Sequence, residues 1–108
     1  MTNHYRLGAD FERAVRTQLI ADGYWVMKSG GSKTKVDLIA IKPGHQLFIQ
    51  CKRDGKCGPA ERVELLRVAA LVDGLPVVAY RDRGIKFRLL NGPGPSQWVP
   101  WMPDEVAA

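Results

Sequence analysis

Between residues 5 and 22 the apolar side chains Leu7, Phe11, Val15 and Leu19 recur at every fourth position, with Ala14 beside them. That spacing lays a single apolar stripe along a helix. Asn3 is placed to cap its start, and Gly23 to end it in a left-handed conformation that costs glycine little. Residues 24–28 are aromatic and β-branched and predict a strand, followed by a small polar loop, Ser29-Gly30-Gly31-Ser32-Lys33-Thr34. Residues 35–42 and 46–52 predict two further strands joined by Pro43-Gly44-His45, which reads as a hairpin. Residues 53–58 form a polar, glycine-containing connection, and Pro59 suits the first turn of a second helix running to about Asp73 and stopping at Gly74. Residues 76–80 and 85–90 predict a second hairpin around Arg81-Asp82-Arg83-Gly84. From about residue 91 onward Pro93, Pro95, Pro100 and Pro103 exclude regular helix and central strand, so an irregular tail is expected.

The order αβββαββ implies an α/β fold, a mixed central β-sheet flanked by helices. The second helix is long enough to serve as a crossover, which allows part of the sheet to be parallel. A length of 108 residues with 45% apolar content reads as a single domain over residues 1–108. No apolar run is long enough to span a bilayer, and the polar N-terminus lacks the apolar stretch of a signal peptide. Cys51 and Cys57 have no His or further Cys at zinc-ligand spacing. These features lead us to expect a cytoplasmic protein, prokaryotic or viral in a host cytoplasm, with no membrane partner.

Charge sharpens the picture through its distribution. The net charge is +5, ordinary for a solubilised domain, but Lys28, Lys33, Lys35, Lys42, Lys52, Arg53 and Lys56 fall in one stretch interrupted only by Asp37 and Asp54. A polyanionic partner such as nucleic acid fits that cluster.

Asp37 is the informative residue. It sits in a strand among Val36, Leu38 and Ile39, where an unpaired charge is expensive to bury. A turn centred on Pro43 and Gly44 sets Asp37 opposite Gln50, and strand alternation puts Phe48, Gln50 and Lys52 on one face. Asp37, Gln50 and Lys52 therefore converge. A carboxylate and an amide carbonyl are hard oxygen donors suited to Mg²⁺, and a nearby ammonium can orient or help deprotonate a metal-bound water and stabilise charge on an attacked phosphate. That is the chemistry of phosphodiester hydrolysis.

Asp37, an apolar strand, a turn and then Gln50-Cys51-Lys52 resembles the PD-(D/E)XK nuclease signature, with Gln where Glu or Asp is usual. Within that superfamily the chain is most similar to archaeal-type Holliday junction resolvases. Residues 5–13, containing Glu12, resemble their first helix, and Ser29-Gly30-Gly31-Ser32 with residues 35–40 resembles their loop and aspartate strand. The likeness extends more weakly to about residue 90. It implies a restriction-endonuclease-like core, with Glu12, Asp37 and Gln50 at the metal site, Lys52 as the catalytic lysine and Ser32 near the scissile phosphate. The implied activity is a Mg²⁺-dependent endonuclease, a homodimer that nicks opposed strands of branched, four-way DNA. Arg6, Arg13, Lys28, Lys33, Lys35, Arg53 and Lys56 are the expected DNA-binding cations. Gln50 departs from the pattern: its carbonyl leaves one negative charge fewer and a looser hold on Mg²⁺, which Mn²⁺ could replace.

Blander readings stand beside these. Glu12 alone is a solvated helix residue, Asp37 an ion-pair partner of Lys52, and Gln50 a strand residue bonded to a neighbour. His4 and His45 read as surface residues. Trp98-Val99-Pro100-Trp101-Met102 either closes the core or forms a subunit interface. As functions, a DNA-structure-binding protein with a degenerate site and a flap- or mismatch-type endonuclease are the alternatives to a resolvase.

Overall fold

The computed structural model describes residues 4–29 and 35–103. Its elements are α1 (His4–Ala21), β1 (Trp25–Lys28), β2 (Leu38–Lys42), β3 (His45–Cys51), α2 (Pro59–Ala70), β4 (Leu75–Arg81), β5 (Ile85–Leu90) and β6 (Trp98–Trp101). The strands form one six-stranded sheet in sequence order. Neighbours are antiparallel except β3 and β4, which run parallel because α2 carries the chain from the end of one to the start of the other.

The apolar stripe of α1 does what its spacing predicts. Phe11, Val15 and Leu19 are buried against Leu38, Ala40, Leu47, Ile49, Val77, Ala79 and Phe87 on one face of the sheet. On the other face Leu65 and Ala69 of α2 pack with Val36, Phe48, Val78 and Leu90. Leu47 and Ile49 thus point to α1 and Phe48 to α2, the double burial expected of a central strand. The end of α1 is fixed by Gly23 at φ +93°, whose N–H donates to Ile20 O while Tyr24 N–H donates to Leu19 O. These two bonds satisfy carbonyls that the helix leaves open.

The hairpin register sets the site. Leu38 pairs with Ile49 and Lys42 with His45, closed by Pro43 and by Gly44 at φ +80°. The pairing ends there: Asp37 N–H bonds Ile49 O, the residue already paired with Leu38, so Asp37 is displaced from the position opposite Gln50 that the turn predicted.

Four features differ from the sequence expectation. The second strand begins at Leu38 rather than at residue 35, so Asp37 lies just before it, where its N–H and C=O bond to different neighbouring strands. The helix α2 ends at Ala70, after which Leu71 and Val72 N–H groups turn back to Val68 and Ala69 in tighter bonds before Gly74. The tail carries a strand, because β6 lies at the sheet edge, where Pro100, opposite Arg88, has no ladder bond to lose on its outer side. His45 is buried at 8% exposure, between Tyr24 and Trp101 with ring centroids at 6.3 and 6.5 Å. Its place beside the turn hid a cover that comes from the far end of the chain. Beyond β6 that chain acts as a strap: Pro103 O accepts from Tyr24 Oη at 2.9 Å and from Lys42 Nζ at 3.3 Å. Trp101 packs against the α1-side core and Trp98 against the α2-side core, so the tail closes the core. Among the described residues no helix is long and apolar enough to cross a membrane.

Candidate active site

At the end of the sheet away from the Pro43–Gly44 turn, Asp37 is held by its backbone and its side chain together. Its N–H donates to Ile49 O at 2.8 Å, its C=O accepts from Ser29 N–H at 2.9 Å, and Oδ2 accepts from Cys51 N–H at 2.8 Å. The carboxylate therefore takes the N–H that a strand carbonyl would otherwise engage, and its position is set by the sheet. Burial raises its carboxyl above the usual range, an effect that the Cys51 N–H and Lys52 reduce and Glu61 reinforces.

Gln50 and Lys52 leave β3 toward α2, and both meet Glu61. Lys52 Nζ lies 2.5 Å from Glu61 Oε2, and Gln50 Nε2 donates to the same oxygen at 3.2 Å. Glu61 Oε1 accepts from Gly58 N–H at 3.0 Å, closing the first turn of α2. The ion pair of Lys52 is thus with Glu61, while Asp37 acts on Lys52 through the field. Burial alone would lower the Lys52 pKa, but Glu61 and Asp37 outweigh it and hold the ammonium protonated. Lys52 thus carries its charge beside Glu61. Burial likewise pushes Glu61 up, and the bonds from Lys52 and Gly58 bring it below its ordinary value. Gln50 is buried, and its Oε1 has no hydrogen-bond partner among the described residues.

Glu61 was missed in the sequence. A signal existed: it follows Gly58 by three residues, the position from which Glu reaches back over a helix start, and that start follows directly on the Lys52 strand.

Glu12 approaches from α1, on the other face of the sheet. Its side chain is 20% exposed, with Lys28 Nζ at 3.9 Å. Burial raises its carboxyl, Lys28 opposes this, and Asp37 adds to it, so the two carboxylates feel one another. Among the described residues no three His, Cys, Asp or Glu side chains gather as a metal cluster. The oxygen donors here are two carboxylates and an amide, and the unpartnered Gln50 Oε1 is a buried acceptor that a hard cation would satisfy. In kind, oxygen donors of this sort suit a divalent ion.

Ser32 and Lys33 lie outside the described residues. Lys28, Lys35, Arg53 and Lys56 are exposed on segments flanking the site. Arg6 and Arg13, two turns apart on α1, are also exposed, and Arg13 pairs with Asp10 at 3.0 Å. Both cysteines are free, and burial pushes both thiols up, which makes them poor nucleophiles.

A brace holds the segment after Lys52. The Arg88 guanidinium sits 4.0 Å from the Tyr80 ring centroid and 4.4 Å from that of Trp98, and donates to Gly55 O at 3.0 Å. Lys52 N–H donates to Ala79 O and Arg81 N–H to Arg53 O, so the backbone leaving the site stays tied to β4.

Comparison with known proteins gives the family and the fold. The family profile described as archaeal Holliday junction resolvase (Hjc) matches residues 3–91. The crossover junction endodeoxyribonuclease Hjc of Methanocaldococcus jannaschii is 33% identical over 88 residues, covering 78% of this chain and 65% of that relative's length. The structure of Archaeoglobus fulgidus Hjc, titled a Holliday junction resolvase from an archaeal hyperthermophile, superposes with a TM-score of 0.66 at 22% identity, over 74% of this chain and 70% of that one. At that identity the superposition speaks for the fold.

Proposed function

This chain belongs to the archaeal Holliday junction resolvase family, and on that premise we propose that it is a divalent-metal-dependent endodeoxyribonuclease that resolves four-way DNA junctions. The observation that carries the reading is Asp37, whose carboxylate accepts from Cys51 N–H while two backbone hydrogen bonds fix the residue, within the field of the Lys52 ammonium. Asp37, Glu12 and the Gln50 carbonyl would hold Mg²⁺ or Mn²⁺. When bound, that ion supplies Lewis-acid polarisation of the phosphate and a more acidic water. The chain's own groups do the rest. Lys52, kept protonated by Glu61, stabilises the charge that builds on the phosphate oxygens as a water oxygen bonds to phosphorus and the bond to the leaving oxygen breaks.

Arg6, Arg13, Lys28, Lys35, Arg53 and Lys56, with Lys33 and Ser32 of the loop, would contact phosphates. Such contacts position DNA without reading its sequence. A four-way junction has two-fold symmetry, so a chain with one site acts on opposed strands as a homodimer. A cytoplasmic location completes the proposal.

The test is cleavage of a labelled four-way junction beside matched linear duplex and flap substrates, in Mg²⁺, Mn²⁺ or EDTA, with Asp37→Asn as control. Paired symmetric nicks on the junction, dependent on metal and on Asp37, support the proposal. Junction binding without cleavage in either metal would make the chain a structure-binding protein, and preferential flap cutting would reassign the substrate.

A further inference from the structure

The hydrogen bonds around residue 50 explain how a glutamine can stand where the resemblance leads one to expect an acid. Glu61 Oε2 is 3.2 Å from the Gln50 amide nitrogen and 2.5 Å from Lys52 Nζ. A carboxylate only accepts, so it forces the amide to turn its nitrogen toward α2. The carbonyl oxygen must then face away from Glu61, and that is the buried atom left without a partner. The negative charge missing from β3 is present next to it, on α2.

We propose that Gln50 and Glu61 act as one divided carboxylate: the strand residue presents the oxygen, and the helix residue carries the charge and fixes the direction in which that oxygen points. Glu61 is a positioning residue in this arrangement. It acts on a bound cation through Gln50 and on the phosphate through Lys52. The inference rests on the metal site of the proposed function and specifies how that site is built.

The division explains why the obvious repair should fail. Gln50→Glu alone replaces a donor 3.2 Å from Glu61 Oε2 with a second acceptor, setting two carboxylates against one ammonium. Gln50→Glu combined with Glu61→Gln restores one charge, one oxygen ligand and one amide donor, with the two roles exchanged. Glu61→Gln alone keeps the helix start, because Gln serves at that position as Glu does.

The experiment measures Mn²⁺ binding to the full chain without DNA, by loss of the free-ion paramagnetic resonance signal, for wild type, Glu61→Gln, Gln50→Glu and the double variant. Melting in EDTA and junction cleavage are followed in parallel. Glu61→Gln should weaken Mn²⁺ affinity about tenfold or more, and the double variant should return to within about threefold of wild type. Gln50→Glu should melt below both wild type and the double variant in EDTA. Wild-type Mn²⁺ affinity in Glu61→Gln, or a double variant no tighter than Glu61→Gln, would overturn the divided carboxylate and leave the proposed function standing. A wild type that binds no Mn²⁺ would overturn both, whereas one that binds Mn²⁺, shows the swap and cuts no junction would overturn only the activity.

Discussion

Lys52→Met removes the ammonium and keeps most of the side chain's length and apolar stem. Glu61 then retains its bonds from Gly58 N–H and Gln50 Nε2 but loses the contact at 2.5 Å. With side chains 28% and 20% exposed, this pair is less screened than a surface ion pair worth at most about 1 kcal/mol. A hydrogen bond to a charged group contributes about 1.5–3 kcal/mol, so we expect a loss of about 2 kcal/mol at pH 7. For a domain near 100 residues that lowers Tm by roughly 8–16 °C.

The pH dependence has a definite sign. Burial raises Glu61, but Lys52 and Gly58 bring it net below its ordinary 4.5, so its contribution is full above that value and fades as pH falls through the folded one. Lys52 is lowered by burial and raised more by Glu61, net above 10.5, so its contribution is full below that value and fades as pH rises through the folded one. The gap between wild type and variant should therefore be level from about pH 5.5 to 9.5 and narrow in acid. Urea unfolding in EDTA at pH 7 and at pH 3.5 measures it. An equal gap at both pH values, or a variant as stable as wild type at pH 7, would refute the reasoning.

Other substitutions test other parts. Asp37→Asn keeps an oxygen for the Cys51 N–H and removes a carboxylate that burial holds above its ordinary 3.8, a group whose contribution is lost as pH rises through its folded pKa. In EDTA at pH 7 it should melt at or above the wild-type temperature while junction cleavage falls by about 100-fold or more, and a lower melting point would contradict this. Gly74→Ala would place a methyl 2.5 Å from Phe48 Cε2 and 3.0 Å from Gln46 O; overpacking of that kind costs about 1–3 kcal/mol, read by the same urea titration. Arg88→Ala should cost about 1–2 kcal/mol through the lost bond to Gly55 O and two ring contacts. Hydrogen exchange at residues 52–55 should rise in that variant, and unchanged protection would remove the brace.

The parts of the fold legible in the sequence are those set by local periodicity. The four-residue stripe from Leu7 to Leu19 gives α1, and the Pro43–Gly44 turn gives the register that pairs Leu38 with Ile49, while the displacement of Asp37 just before that pair was not legible. Contacts across the sheet were not legible. The cover over His45 comes from Trp101 and Tyr24, residues far apart in sequence, and β6 depends on lying at an edge where Pro100 is tolerated. Glu61 stayed hidden because its contact with Lys52 is set by how α2 packs on β3 and β4, which periodicity along α2 does not report.

The strap at Pro103 gives the molecule two poles with separate duties. Tyr24 and Lys42 are tied to it at the turn end of β2 and β3, while Asp37, Gln50 and Lys52 occupy the other end of the same two strands. The family match stops at residue 91, before β6 and the strap begin. The stretch that shuts one end of the core thus lies outside the matched region; changes around Pro103 alter how firmly the turn end of the sheet is closed, while Trp98 reaches the other end through Arg88. The strap around Pro103 answers to folding alone, whereas any change around Asp37 alters the site itself.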